Sequence, residues 1–158
     1  MKYELTDETN GSGLRRIRAL RDIPRCGVKE GDLGGWVESE GNLTQEGDCW
    51  VSDDAMVFGN ARVCDAAQVC GDARVFGIAI VGGNARVFDN AQVSDTALIY
   101  GNAQVFGNAR VFGKARVFGN ARVSDDAQVS GNARVSDDAQ VFGNARVFDA
   151  AVCGGVTS

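Results

Sequence analysis

The sequence predicts an all-β fold, a triangular parallel β-helix in which one chain coils about its own axis. A six-residue unit, of which residues 111–116 are typical, runs seventeen times from residue 51 without an insertion or deletion. The first position of the unit is valine in every copy except Ile99, the third is always Gly or Asp, and the fifth is always Ala. A fixed short period indicates stacked repeats, and a period of six does not match a helix.

Each unit is predicted to be one short strand followed by one bend. Side chains alternate sides in an extended chain, so Ala109 and Val111 share one side while Arg110 and Phe112 share the other. The Ala and Val side is the predicted core. Gly or Asp followed by Asn, Asp or Lys suits a corner, because these residues tolerate positive φ or bond their own backbone. Three units make a coil of eighteen residues, and the run gives nearly six coils, roughly 27 Å tall at about 4.8 Å per strand.

The unit resembles the hexapeptide repeat, an aliphatic residue with a small residue two positions before it. Proteins of that family form single-stranded left-handed parallel β-helices, so the resemblance implies a left-handed coil over about two thirds of the chain. Upstream, Gly34-Gly35-Trp36-Val37 and residues 45–51 are similar to the start of YdcK-like hexapeptide proteins, some of them associated with prophages. This resemblance implies no function. The right-handed triangular helix of bactofilins is the competing fold, and the Ala and Val pairing fits it less well.

Residues 1–36 break the period and are predicted to form an N-terminal β cap on a helix of residues 37–158, all within one structural domain. Tyr3-Glu4-Leu5 alternates as a strand does, and residues 14–23 predict a second strand. A solenoid needs its first coil covered, because an open strand edge invites pairing with another chain.

Both ends of the repeat run are predicted to extend it. Val37, Leu43 and Cys49 keep a spacing of six, so residues 37–48 are expected to form a coil that leads into the repeats. After residue 147 the pattern blurs without a charged or helical cap. The unpaired edge of the last coil is therefore predicted to contact another subunit. The residues expected at that C-terminal edge are Val152, Cys153 and Val156.

Five arginines crowd the predicted cap and form a candidate site for an anion or a partner. Such a cluster could bind phosphate or nucleic acid. The alternative is that the arginines pair with nearby carboxylates, and it is favoured because residues 1–50 hold seven basic and ten acidic side chains. The arginines of this candidate site are Arg15, Arg16, Arg18, Arg21 and Arg25.

The side chains that catalysis or metal binding would need are scarce. Acyl transfer in hexapeptide enzymes relies on a histidine base, and the γ-class carbonic anhydrases hold their metal with three histidines, whereas this chain has no histidine. No loop interrupts the period to build a pocket. The five cysteines are odd in number and lack paired ligand spacing, which argues against a disulfide framework or a zinc site. We expect no enzymatic activity, no cofactor and no metal.

The charge pattern and hydropathy disfavour several other roles. Ice binding would require arrays of outward threonine, whereas the outward residues are mostly Phe, Ser, Arg and Gln. Mimicry of DNA would require an acidic rod, but nine basic and eleven acidic residues interleave after residue 50, and nucleic acid is likewise a disfavoured partner. The first twenty residues lack the apolar run of a signal peptide, and no segment is long enough to span a membrane, so a cytoplasmic protein is expected.

Stacking at eighteen residues sorts the outward side chains into three faces. Two of them mix Phe with Arg and Gln and are predicted to form cross-strand ladders that stiffen the sheets. On the third face Ile80 and Leu98 replace the usual Arg or Gln, and exposed apolar patches usually mark association sites. The alternative is that the cap or the tail folds over this face. The predicted interaction face consists of Ile78, Ile80, Leu98, Tyr100 and Phe118.

Two classes of function remain open at this point. The first is a non-catalytic structural or protein-interaction module that forms a homo-oligomer or binds another protein through the interaction face. The second is a transferase-like protein that binds a small anionic ligand between subunits through the cap arginines. The prophage resemblance adds a variant of the first class, an inhibitor or mimic that acts on a host protein.

Overall fold

The repeats form a parallel β-helix in a computed structural model that describes all residues from Met1 to Ser158. Each hexad contributes one strand of two or three residues, and 3-10 turns lie at Pro24–Cys26 and Glu40–Asn42. The strands, in chain order, are β1 (Tyr3–Thr9), β2 (Arg15–Ala19), β3 (Leu33–Val37), β4 (Trp50–Val51), β5 (Met56–Val57), β6 (Arg62–Val63), β7 (Gln68–Val69), β8 (Arg74–Val75), β9 (Ile80–Val81), β10 (Arg86–Val87), β11 (Gln92–Val93), β12 (Leu98–Ile99), β13 (Gln104–Val105), β14 (Arg110–Val111), β15 (Arg116–Val117), β16 (Arg122–Val123), β17 (Gln128–Ser130), β18 (Arg134–Ser136), β19 (Gln140–Val141), β20 (Arg146–Phe148), β21 (Ala151–Cys153) and β22 (Val156–Thr157).

The strands of successive coils stack into three sheets, one for each side of the triangle. The first sheet has the order β1-β2-β3-β5-β8-β11-β14-β17-β20, the second runs from β4 through β7, β10, β13, β16 and β19 to β22, and the third runs from β6 through β9, β12, β15 and β18 to β21. Partners within the repeats lie eighteen residues apart, as Val75, Val93 and Val111 do. The predicted all-β, left-handed parallel β-helix is confirmed. It has about seven coils rather than nearly six, because strands outside the hexads extend the stack at both ends.

The core is the predicted column of Ala and Val. Every first-position and fifth-position residue from Ala55 to Val141 is fully buried, with none of its surface exposed. Burial of a Val side chain contributes about 1.5 kcal/mol or more, and here it recurs in each hexad. One branched and one small residue per strand therefore fill the interior, and the outward positions are free to vary.

The corners follow a rule that joins each coil to the next one. Seven aspartates occupy the third position of the unit with positive φ between 54° and 59°, a conformation that costs a non-glycine residue roughly 1–2 kcal/mol. In return, the Asp53 carboxylate accepts a hydrogen bond from the N–H of Gly71, one coil further on, at 3.0 Å. Wherever the hexads place a glycine eighteen residues after an aspartate, the aspartate carboxylate accepts the same hydrogen bond. This bond offsets part of the cost of the positive φ. The other pairs are Asp65–Gly83, Asp89–Gly107, Asp95–Gly113 and Asp125–Gly143.

The N-terminal residues extend the first sheet instead of forming a separate layer. Strands β1 and β2 are antiparallel, β2 is antiparallel to β3, and β3 is parallel to β5. Strand β3 needs its two glycines because the backbone of the next coil is close. A Cβ on Gly34 would lie 2.5 Å from the carbonyl oxygen of Val51, and one on Gly35 would lie 2.7 Å from that of Ala55. The boundary between cap and helix at residue 36 stays a prediction, since β3 continues through that residue.

The spacing predicted for the coil before the repeats is correct at two positions and wrong at the third. Val37 pairs with Val57, and Leu43 bridges Val63, so both are first-position residues. The next first-position residue is Val51, which pairs with Val69. Cys49 instead takes the buried place that alanine has in the repeats, because two extra residues separate Leu43 from Val51. The chain contains no helix with the length and apolarity of a membrane crossing.

Candidate interaction face

The third sheet carries the predicted apolar residues side by side. Leu98 in β12 pairs with Ile80 in β9 on one side and with Arg116 in β15 on the other. Ile78, at the corner just before β9, has 58% of its surface exposed, whereas Ile80 and Tyr100 have 37% and 38% exposed. Large aliphatic side chains thus occupy outward positions where, from β7 and β8 to β19 and β20, the other two sheets carry Arg or Gln.

An aromatic pair extends this strip along the axis. The rings of Tyr100 and Phe118 stack with centroids 5.0 Å apart and an interplanar angle of 3°. Similar stacks join Phe58 to Phe76 and Phe88 to Phe106 on the other sheets, so ring stacking alone is not specific to this face. The aliphatic residues beside the rings are what distinguish it. We call the strip formed by Ile78, Ile80, Leu98, Tyr100 and Phe118 the apolar face.

Neither end of the chain folds over the apolar face. Strand β21 continues the third sheet beyond β18, and β22 continues the second sheet beyond β19. At the other end, β1 and β2 add to the first sheet. The exposed fractions of Ile78 and Tyr100 agree with an uncovered surface. The alternative of a cap or tail that covers this face is therefore wrong.

A group of basic residues borders the apolar face on its C-terminal side. Lys114, Arg116 and Arg134 line a shallow groove of about 160 Å³ together with Asn132. Arg116 and Arg134 lie directly opposite each other in the register of β15 and β18. Sequence reasoning missed this group, although two arginines eighteen residues apart on a predicted face were a visible signal. We call Lys114, Arg116 and Arg134 the basic cluster.

Four of the five cap arginines approach carboxylates. The guanidinium of Arg16 also lies over the Trp36 ring, 4.8 Å from its centroid. The fifth, Arg25, donates to the side-chain oxygen of Asn84 at 2.8 Å. The structure thus favours the pairing alternative over an open anion site. The ion pairs are Arg15–Asp7 at 3.9 Å, Arg16–Glu8 at 3.9 Å, Arg21–Asp48 at 3.6 Å, and Arg18–Glu4.

The residues predicted for the C-terminal edge lie on strands that prolong two sheets. Val152 pairs with Val135, is half-buried and packs against the core. The exposed Cys153 accepts a hydrogen bond from the hydroxyl of Ser136 at 3.3 Å, and Val156 has 66% of its surface exposed. A contact of this edge with another subunit stays a prediction.

All five cysteines are free thiols, and three of them are only partly exposed. Burial raises the pKa of the Cys26, Cys64 and Cys70 thiols, with a further contribution from a neighbouring aspartate in each case. A raised thiol pKa keeps the weakly nucleophilic protonated form at neutral pH. The raised pKa of these three thiols therefore argues against a nucleophilic role.

The repeats are similar to those of a known solenoid family. Residues 67–83, 103–117, 127–140 and 139–155 match the model of the YdcK beta solenoid repeat. YdcK of Escherichia coli (strain K12), described as an uncharacterized acetyltransferase, is 45% identical over 49 residues. That match covers 30% of this chain and 14% of YdcK, so the chain corresponds to a small part of that relative's length. The resemblance found in the hexads is confirmed.

Proposed function

We propose that this chain, a hexapeptide-repeat protein similar to YdcK, is a non-catalytic protein-interaction module that binds through the apolar face. The observation that carries this proposal is the pairing of Leu98 with Ile80 in adjacent strands of an uncovered sheet. Exposed apolar surface is costly in water, and a contiguous exposed patch with a polar rim usually marks an association site. On the other two sheets the same strand position holds alternating Arg and Gln from β7 and β8 to β19 and β20, so the aliphatic pair is a local departure.

A non-catalytic role is supported by the way the carboxylates of the repeats are used. Five aspartates accept a glycine N–H of the next coil, as Asp53 does from Gly71, and so serve the corners. Histidine, the most common general acid and base, is absent from the sequence. The apolar face itself carries a single titratable side chain, that of Tyr100.

The experiment compares a double variant of the apolar face with a matched variant on the second sheet. Leu98→Lys with Tyr100→Ser removes the apolar face, and Gln104→Lys with Phe106→Ser makes similar changes at the same positions of the next hexad. Each protein is examined by sedimentation over a wide concentration range, and by selection of short random peptides on the immobilised full chain. We expect self-association or peptide binding that the first variant abolishes and the second retains.

The proposal fails if the wild-type protein and the apolar-face variant have the same mass at all concentrations and recover the same peptides. A circular dichroism spectrum and a melting temperature close to wild type establish that the variant is folded. Leu98 is only half-buried, and long polar side chains hold the same outward position in most other hexads, so replacement by lysine is expected to preserve the coil despite the like charge of Arg116 beside it.

The second candidate is a transferase-like protein that holds a small anionic ligand between subunits. It is favoured by the description of YdcK as an acetyltransferase, over the 49 residues that match. Native mass spectrometry separates the two candidates, because a retained nucleotide or acyl carrier supports the transferase-like protein. Calorimetric titration with acetyl-CoA provides the direct test, and the absence of heat and of retained ligand would leave the interaction module.

A further inference from the structure

The basic cluster breaks the charge pattern of the other two sheets. Along the first sheet the outward residues alternate, as in Arg74, Gln92 and Arg110, so no arginine faces another one. The second sheet alternates in the same way. On the third sheet Arg116 and Arg134 are direct neighbours. Like charges placed directly opposite each other destabilise a sheet.

The cluster also lacks internal partners that would offset this repulsion. The salt bridges of the protein all lie between residues 4 and 48, and none reaches Lys114, Arg116 or Arg134. The guanidinium groups that lie over aromatic rings belong to other arginines. One carboxylate, that of Asp149, contacts a residue of the groove, and it does so by accepting the backbone N–H of Asn132 at 2.7 Å. Three cations are therefore free to meet an external anion.

We propose that the partner of the apolar face is an acidic protein segment, with apolar side chains at one end and carboxylates at the other. This inference rests on the proposed function and specifies the chemistry of the partner. From Ile80 to Arg134 the surface spans three strand spacings, about 14 Å, which matches about four residues of extended chain. Apolar side chains of the segment cover Ile80 and Leu98, and its carboxylates bind Arg116 and Arg134. Arginine suits this role because its guanidinium group can donate two parallel hydrogen bonds to one carboxylate.

The charge of the rest of the molecule fits this partner. The chain has a net charge of −5, so the remaining surface repels an acidic segment while the basic cluster attracts it. Complementary potentials of this kind set orientation and association rate more than affinity. A second copy in parallel alignment is a poorer occupant, because its basic cluster would face this one.

A protein segment also fits the surface better than a nucleic acid does. Stacking platforms for bases need aromatic rings with free faces. Here the rings of Tyr100 and Phe118 stack on each other, and the other members of the apolar face are aliphatic. Aliphatic side chains next to guanidinium groups match a peptide with both apolar and acidic residues.

The test uses the peptides selected on the full chain, restricted to those whose binding is lost with Leu98→Lys and Tyr100→Ser. We expect these peptides to be enriched in Asp and Glu next to apolar residues. Arg116→Gln with Arg134→Gln should weaken them about tenfold and flatten the salt dependence of binding. Gln occupies the same position in other coils, so the variant is expected to fold. Arg74→Gln with Arg146→Gln on the first sheet is the matched control and should leave affinity unchanged.

The outcomes separate the two proposals. Peptides that depend on the apolar face but are neutral or basic, or that keep their affinity in the Arg116→Gln and Arg134→Gln variant, overturn the acidic partner and leave the interaction module standing. If no selected peptide depends on the apolar face, the acidic partner is overturned. Peptide binding then no longer supports the interaction module. If a labelled single-stranded oligonucleotide binds the protein, and the Arg116→Gln and Arg134→Gln variant abolishes that binding, the basic cluster is a nucleic-acid site instead.

Discussion

The guanidinium of Arg25 donates a hydrogen bond to the side-chain oxygen of Asn84 at 2.8 Å, and so joins the N-terminal residues to a corner of the repeats. From there an amide ladder runs along the corner. Asn84 donates to Asn102 and Asn102 to Asn120 at 3.2 Å each, and Asn120 donates to the Asp138 carboxylate at 3.3 Å. All donors point the same way, from a cation to an anion, so each bond polarises the next.

Loss of one rung should weaken this ladder measurably. Asn102→Ala removes both the acceptor for Asn84 and the donor to Asn120, and we expect it to lower the free energy of unfolding by about 1 kcal/mol. The loss is modest because the ladder is exposed to water. Urea denaturation measures it. Asn90→Ala is the control, since Asn90 holds the same position in the hexad without a side-chain hydrogen bond, and equal losses in both variants would argue against the ladder.

The corner rule predicts which glycines tolerate aspartate. A Cβ on Gly77 would lie 2.8 Å from the backbone nitrogen of Asp95, whereas the nearest atom to a Cβ on Gly59 is the Gly77 oxygen at 3.2 Å. Gly77→Asp combines positive φ with crowding and should cost about 2–3 kcal/mol. Gly59→Asp is followed by a glycine whose N–H it can bind, so it should cost about 1 kcal/mol or less. Thermal melting of the two variants decides the point, and a reversed order would disprove the rule.

Cys49 occupies a position that holds alanine in the repeats, and it accepts a hydrogen bond from a buried lysine. Lys2 is almost fully buried, and its Nζ donates to the sulfur of Cys49 at 3.0 Å and to the Glu46 carbonyl at 3.3 Å. Cys49→Ala should therefore cost about 2 kcal/mol, although alanine is the usual residue at this position. Cys49→Ser, which keeps an acceptor, should cost less. Adding Lys2→Met to Cys49→Ala should restore most of the loss in a double-mutant cycle, and strict additivity would contradict the coupling.

The thiols should differ in reactivity in the order of their exposure. In a timed alkylation at mildly alkaline pH, mass spectrometry should find Cys153 modified first, Cys64 and Cys70 later, and the fully buried Cys49 only on unfolding. Equal rates for Cys153 and Cys70 would contradict the structure.

The same thiols give a pH dependence with a defined sign. Folding raises the pKa of Cys64 and Cys70 through burial, so their contribution to stability is complete below the unfolded thiol pKa of about 8.5 and is lost as the pH rises above it. Cys64→Ser with Cys70→Ser should reduce this alkaline loss, because serine occupies the same position in other hexads and does not titrate in this range. Identical alkaline profiles for wild type and variant would contradict the assignment.

The period predicted most of the solenoid because a local rule fixes a long-range contact. Once three hexads make one coil, Leu98 must lie beside Ile80, and the apolar face followed from the sequence alone. The same spacing places Arg116 beside Arg134. That pair stands out only by comparison with the other two sheets, where Arg and Gln alternate. Cys49 was misplaced because the two residues inserted before it carry no pattern. The partner of Lys2 was unpredictable, since it depends on how β1 folds back.

On the first and second sheets the outward strand residue repeats over 36 residues, although the backbone repeats over 18. Arg74, Gln92 and Arg110 follow one another in successive coils, and so do Asp53, Gly71 and Asp89 at a corner. Unequal crossing-over that duplicates a single coil would place arginine beside arginine or aspartate beside aspartate. Duplication of two coils would lengthen the rod by about 10 Å and keep both patterns. Genes for such rods are therefore expected to grow and shrink by pairs of coils.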